Sequence, residues 1–286
     1  MLRLSREPAV RKLTLTASLA AVYTIFRAIP VSKLIGISGT ITAAGMIAPI
    51  IGILLEPAYG VTAVFVGTMI ASFLPWNPLK FLGLDFLPGA LNVLLVSLAV
   101  RGRRVEATIM FAVMIGLFII NPYTSLFVGS SYYSPPIPYL WMHIAAFIVL
   151  ISPLSKGLAL RISSEKYTSL VRPVAVLAFT GTMVEHLTGG ILYATVVGKG
   201  ALKSWPVIFL AYPVERIVLI VGATLICTTL LALIRRDVVK RSLETVTSVA
   251  TTRELNAAES GRGPSSTTRA HALRSFRHRI RWRSTH

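Results

Sequence analysis

At 286 residues, with 54% hydrophobic and 14% charged side chains and a mean hydropathy of +0.70, the chain is too apolar for an ordinary soluble domain, in which about 25% of residues are charged. The net charge of +18 does not point to nucleic acid, because twelve basic residues follow Ile234 and nearly all the others lie between apolar runs. The single Cys227, inside an apolar run, excludes an intrachain disulfide and a Cys metal site.

The apolar runs predict an all-α polytopic membrane protein of about eight transmembrane helices, at 12–29, 39–55, 57–74, 84–100, 104–120, 138–158, 172–197 and 207–234. Residues 1–11 form a cytoplasmic N-terminus. Arg3, Arg6, Arg11 and Lys12 precede an apolar stretch, but no small-residue cleavage site follows it cleanly, so the first helix is expected to stay uncleaved. The segment Val31–Thr42 is half apolar with Gly36 and Gly39 as pivots, and it fits either a lid folded over the outer face or a short connector. Spans two and three meet at Glu56-Pro57 as a tight hairpin carrying small-residue stripes, Ala44/Ala48/Gly52 and Ala63/Gly67/Ala71. Asp85 is expected to cap span four. Residues 235–286 are rich in Ser, Thr, Arg and Gly and predict a basic, mostly disordered cytoplasmic tail drawn to anionic lipid headgroups.

Loop charges orient the chain. The N-terminus and the loops after spans four, six and eight carry fifteen Lys and Arg, against five (Arg27, Lys33, Lys80, Lys199 and Lys203) on the other side. The positive-inside rule then places both termini in the cytoplasm of a multi-pass cell-membrane protein.

Polar residues interrupt the spans at similar depths. By helical rise, Glu185 and His186 lie roughly 20 Å from the cytoplasmic start of span seven, Glu215 and Arg216 about 13 Å from the outer start of span eight, and Asn92 about 12 Å from the outside. Ionisable groups in hydrocarbon survive mainly where they are paired or line a cavity. Neighbours in sequence diverge around a helix, so Glu185 and Arg216 are the expected cross-helix partners, leaving His186, Glu215 and Asn92 for a ligand or for each other. Two readings remain open here: a solute cavity in the outer half of the membrane, and a structural ion pair locking spans seven and eight. No catalytic residues, metal ligands or cofactor are expected: Val184-Glu185-His186-Leu187 lacks the second histidine of a zinc helix. In the first span, Thr16 with Ala20 and Ala17 with Ala21 place small residues four apart, allowing close approach of another helix, whether a partner's or the chain's own.

Several strings resemble a substrate-binding S component of the energy-coupling factor (ECF) vitamin transporters, of archaeal type. They are the small-residue first helix, Ile35–Thr42, the hairpin Ala48–Gly60, and Gly181-Thr-Met-Val-Glu-His-Leu-Thr-Gly-Gly-Ile-Leu-Tyr193 followed by Tyr212-Pro-Val-Glu-Arg216. The resemblance implies a subunit without its own ATPase that binds a vitamin or other micronutrient through Asn92, Glu185, His186, Tyr193, Glu215 and Arg216. It further implies docking through Thr16, Ala17, Ala20 and Ala21 on a transmembrane coupling subunit driven by ATPases. The family has six spans, so 104–158 is expected to be an inserted hairpin. The alternative is a polytopic scaffold or membrane enzyme with a buried ion-pair cluster.

Overall fold

The computed structural model describes residues 9–33, 40–130, 133–163 and 167–259. It is mostly helical: α1 (Ala9–Ala28), α2 (Ala44–Leu54), α3 (Pro57–Ala71), α4 (Leu87–Val100), α5 (Arg104–Ile120), α6 (Trp141–Ile151), α7 (Leu158–Ile162), α8 (Tyr167–Val197) and α9 (Trp205–Glu259). Two antiparallel hairpins depart from the all-α expectation: β1 (Pro30–Lys33) with β2 (Thr40–Thr42), and β3 (Phe127–Ser130) with β4 (Tyr133–Pro138). The first occupies the expected lid segment, pairing Pro30 with Thr42 and Lys33 with Thr40; its tip, 34–39, lies outside the described residues. Pro135 and Pro136 fall at the register shift between the pairs Val128–Ile137 and Ser130–Tyr133, an irregularity where proline is tolerated.

Eight full-length spans are not found. Among the described residues three segments are long and apolar enough to cross a membrane: Ala9–Ala28, Tyr167–Lys203 and Trp205–Arg236. The helices α2 and α6 have 11 residues each, about 16 Å of rise against a hydrocarbon core of about 30 Å. Hydropathy counted the apolar residues of the turns and hairpins as helix, which lengthened α2, α3, α4 and α6, whereas α5 has the expected bounds. The outward face of α9 is nevertheless strongly apolar. Val207, Leu210, Val214, Ile217, Val221 and Leu225 are all more than half exposed, at three- and four-residue intervals along one side. In water such a stripe is an association surface, and in hydrocarbon it is ordinary.

The chain divides into two compact units, Met1–Ala232 and Leu233–His286. In the second, the described backbone to Glu259 is helical, where composition predicts disorder from 242 onward. Leu243, Glu244, Arg253, Glu254, Leu255, Ala257 and Ala258 are good helix formers. Extending an existing helix avoids the cost of nucleation, so periodicity underestimates its reach. The expected lipid-seeking end, Arg269–His286, lies outside the described residues.

In the first unit α4 is the central element, buried on nearly all sides from Asn92 to Val100 and packed on α2, α3, α5 and α8. Small residues permit this. A Cβ at Gly52 would stand 2.7 Å from the Val93 carbonyl of α4, and one at Gly67 would stand 2.8 Å from the Ala20 carbonyl of α1. The two expected stripes therefore receive α4 and α1 rather than mainly each other. Thr16 and Ala20 are correspondingly buried. Their assignment to partner docking is corrected: they face α3, and only Ala17 and Ala21 are exposed.

One end of this unit is laced by basic side chains. Lys12 Nζ pairs with Glu56 Oε1 at 2.8 Å. Arg101 donates to the Gly52 carbonyl at 3.1 Å, and Arg104 donates to those of Leu150 and Ser152 at 2.7 and 2.9 Å. Cations thus meet the free carbonyls at the C-terminal ends of α2 and α6. Asp85 does not cap α4, whose cap position is Phe86 in a helical conformation. Its carboxylate instead accepts from the N–H groups of Lys80 and Phe81 at 2.9 and 2.8 Å, closing the loop before the helix.

Candidate functional site

The site begins where α4 crosses α8. At Gly181 a Cβ would collide with the Asn92 amide oxygen and lie 3.0 Å from Val96, so glycine is what admits Asn92 to this contact. One turn further along α8, the Asn92 Nδ2 donates to Glu185 Oε2 at 2.6 Å. The same carboxylate lies over α2, where a Cβ on Gly45 would be 3.2 Å from Glu185 Oε1. Three helices thereby converge on one acid.

The expected Glu185–Arg216 ion pair is not formed among the described residues. Arg216, 3% exposed, has its Nη2 3.9 Å from Oε2 of the adjacent Glu215. Successive Cβ vectors diverge, but side chains this long can turn back toward each other; the rule about helix neighbours holds for Cβ positions, not for guanidinium groups. Glu215 also accepts a hydrogen bond from the Ser32 hydroxyl in β1, tying α9 to the hairpin.

His186 enters a group of rings that the sequence did not disclose. His143 of α6, fully buried, places its Nε2 3.0 Å from His186 Nδ1. The His186 ring stacks on Tyr212 at 4.8 Å and on His143 at 5.2 Å, with Tyr139 parallel at 6.4 Å. Trp205 packs edge-on against Tyr139 and Tyr193, its Nε1 donating to the Tyr123 carbonyl. Tyr139 and His143 belong to 104–158, the segment expected to be an insertion, yet they complete the site. A lone histidine in the apolar run Trp141–Ile151 was the available signal. His143→Phe keeps a ring at this position and removes one buried hydrogen bond, so a loss of about 1 kcal/mol is expected in a thermal melt; an unchanged melting temperature would show that the two histidines act only as packing.

These groups border a cavity of about 150 Å³, open on one side. Glu185, His186, Tyr193, Glu215 and Arg216 line it. Asn92 does not; it stands behind Glu185 and holds that carboxylate. Thr40, Ile41 and Thr42 of β2 border the same space. So do Arg27, Lys33, Lys80 and Asp85, which were read only as loop charges or a cap. Burial, and next the Arg27 cation, hold the Lys80 ammonium below the usual lysine range. Among the described residues no three His, Cys, Asp or Glu side chains are grouped to hold a metal ion.

No family model matches the chain, and no solved structure matches it. Over 184 residues it is 27% identical to the uncharacterized protein MJ0923 of Methanocaldococcus jannaschii, an alignment covering 64% of this chain and 59% of that protein. The chain thus spans less than two thirds of the length of the relative it matches.

Proposed function

We propose that this protein is the membrane-embedded solute-binding subunit of an ATP-coupled uptake transporter of the energy-coupling factor type. It holds a vitamin or other small micronutrient and relies on a separate coupling subunit and ATPases for movement. The observation that carries this reading is the cavity: five of the six residues singled out by depth and resemblance, contributed by α8 and α9, border one open space beside the β1–β2 hairpin. A structural ion pair would leave no such space and would join Glu185 to Arg216.

The chain is multi-pass in the plasma membrane with both termini cytoplasmic. The three long helices and the apolar face of α9 support embedding in hydrocarbon. Lys12, Arg101 and Arg104 gather at the laced helix ends, whereas Arg27, Lys33 and Lys80 gather at the cavity, in keeping with the charge asymmetry of the loops. The short helices complete their crossings with backbone buried inside the protein, where irregular structure is tolerated.

Mass spectrometry of small molecules released from the detergent-purified protein tests the assignment. A single compound is expected in near-stoichiometric amount, depleted when Glu185→Gln or His186→Ala is purified alongside. A wild-type protein that yields none, or that accumulates solute in vesicles lacking every ATPase, contradicts it.

A further inference from the structure

The charges of the cavity are unevenly satisfied. Its three acids each have partners within the chain: Asp85 has two backbone N–H groups, Glu185 has Asn92, and Glu215 has Ser32 and Arg216. Its four cations, Arg27, Lys33, Lys80 and Arg216, do not match them. Among the described residues the Nε atoms of Arg27 and Arg216 are buried without a hydrogen-bond partner, as is the hydroxyl of Tyr193. Lys33 and Lys80 form no ion pair among the described residues, and at Lys80 the repulsion of the Arg27 charge outweighs the attraction of Asp85. Partly desolvated cations held together with free donors are stabilised by an oxyanion, which accepts from guanidinium and ammonium together.

The same space also has aromatic lining. Tyr139, His186 and Trp205 border it. Beside them lies Gly189, where an added Cβ would meet nothing within 4 Å, so the wall is open there. A volume of about 150 Å³ is small against the roughly 300–1,000 Å³ of common ligand pockets, which limits the occupant to about one ring with its substituent.

Taking the solute-binding reading as its basis, we propose that the occupant is a small flat-ringed molecule bearing one carboxylate or phosphate, its oxyanion held by Arg27 and Lys80 and its ring set against Tyr139 and His186. The excess of cations selects against neutral and cationic analogues of the same shape, because a neutral head adds no negative charge beside Arg27 and Lys80.

The test uses the full chain in detergent and reads thermal stability with four ring compounds of one size: benzoate, phenyl phosphate, benzamide and benzylamine. A rise in melting temperature is expected with benzoate or phenyl phosphate and not with the other two; the preferred arm tells carboxylate from phosphate. Apparent affinity is expected to fall at least about tenfold in Lys80→Gln and in Arg27→Gln. Gly189→Leu fills open space on a helix, so it is expected to melt like the wild type and to lose the shift. Lys80 lies in a loop, so its variant supplies the answer if Arg27→Gln does not fold. Equal stabilisation by benzamide or benzylamine overturns the proposed class, as does silence from all four compounds or a shift that survives Gly189→Leu. Short-chain phosphatidylglycerol is the control for a lipid headgroup: if it alone stabilises, the occupant is a lipid and the proposal fails. A compound of another class recovered by mass spectrometry would sink this inference while leaving the solute-binding reading intact.

Discussion

A protein carrying both Ala17→Leu and Ala21→Leu is expected to fold and melt like the wild type, to keep its solute, and to lose uptake in cells together with co-purification of a coupling subunit. Both alanines are exposed on α1, on the side turned away from α3. In hydrocarbon, leucine on such a face gains nothing from the hydrophobic effect and costs the fold little, but it holds an incoming helix away. Gly67→Leu is the matching control on the buried side. Its Cβ would lie 2.8 Å from the Ala20 carbonyl and 3.0 Å from the Tyr23 ring, so α1 must move off α3. Overpacking of this kind costs about 1–3 kcal/mol or more. The pair separates docking from stability. A well-folded Ala17→Leu/Ala21→Leu protein that imports solute at the normal rate would end the coupling-subunit reading.

The second large effect is expected at Arg216. Its guanidinium is 3% exposed and lies among Glu215, Glu185 and the Tyr139 ring. Arg216→Met preserves much of the volume but removes the cation beside Glu215, whose charge also acts on Glu185 without pairing with it. Breaking a buried charge arrangement from one side costs roughly 3–5 kcal/mol. A marked fall in melting temperature follows, and Glu215→Gln in the same chain is expected to recover part of it by removing one of the stranded charges. If Arg216→Met melts at the wild-type temperature, the site is wetter than its burial implies and the guanidinium is not what holds it.

Helix positions along the chain were readable because proline, glycine and charge punctuate them: Pro30, Glu56-Pro57, Arg101-Gly102-Arg103-Arg104 and Asn121 all sit at observed ends or turns. Apart from α5, found at the expected 104–120, the lengths of the shorter helices were not readable. The runs around α2 and α6 are apolar on both sides of the helix ends, and hydropathy has no way to mark where an apolar helix becomes an apolar turn. That Asn92, Glu185, His186, Glu215 and Arg216 come near one another was legible because rise per residue is fixed. Which of them pair was not, since pairing depends on helix rotation and on reach: Asn92 came to Glu185 only because Gly181 has no side chain. His143 and Tyr139 escaped notice for a different reason. One polar ring in an apolar segment has no periodicity, and its meaning appears only when α6 lies on α8.

The arginines at the laced helix ends carry a kinetic consequence. Arg101 and Arg104 donate into terminal carbonyls of α2 and α6, and Lys12 is clasped by Glu56, so that end cannot part without stranding several charged donors and backbone acceptors at once. The cavity end is bordered by β1 and β2, and among the described residues Ser32 of β1 bonds Glu215 of α9. One end is bolted and the other is latched. On the solute-binding reading proposed above, a molecule in the cavity is expected to leave on the side of β1 and β2, at a rate set by that bond rather than by the helix ends.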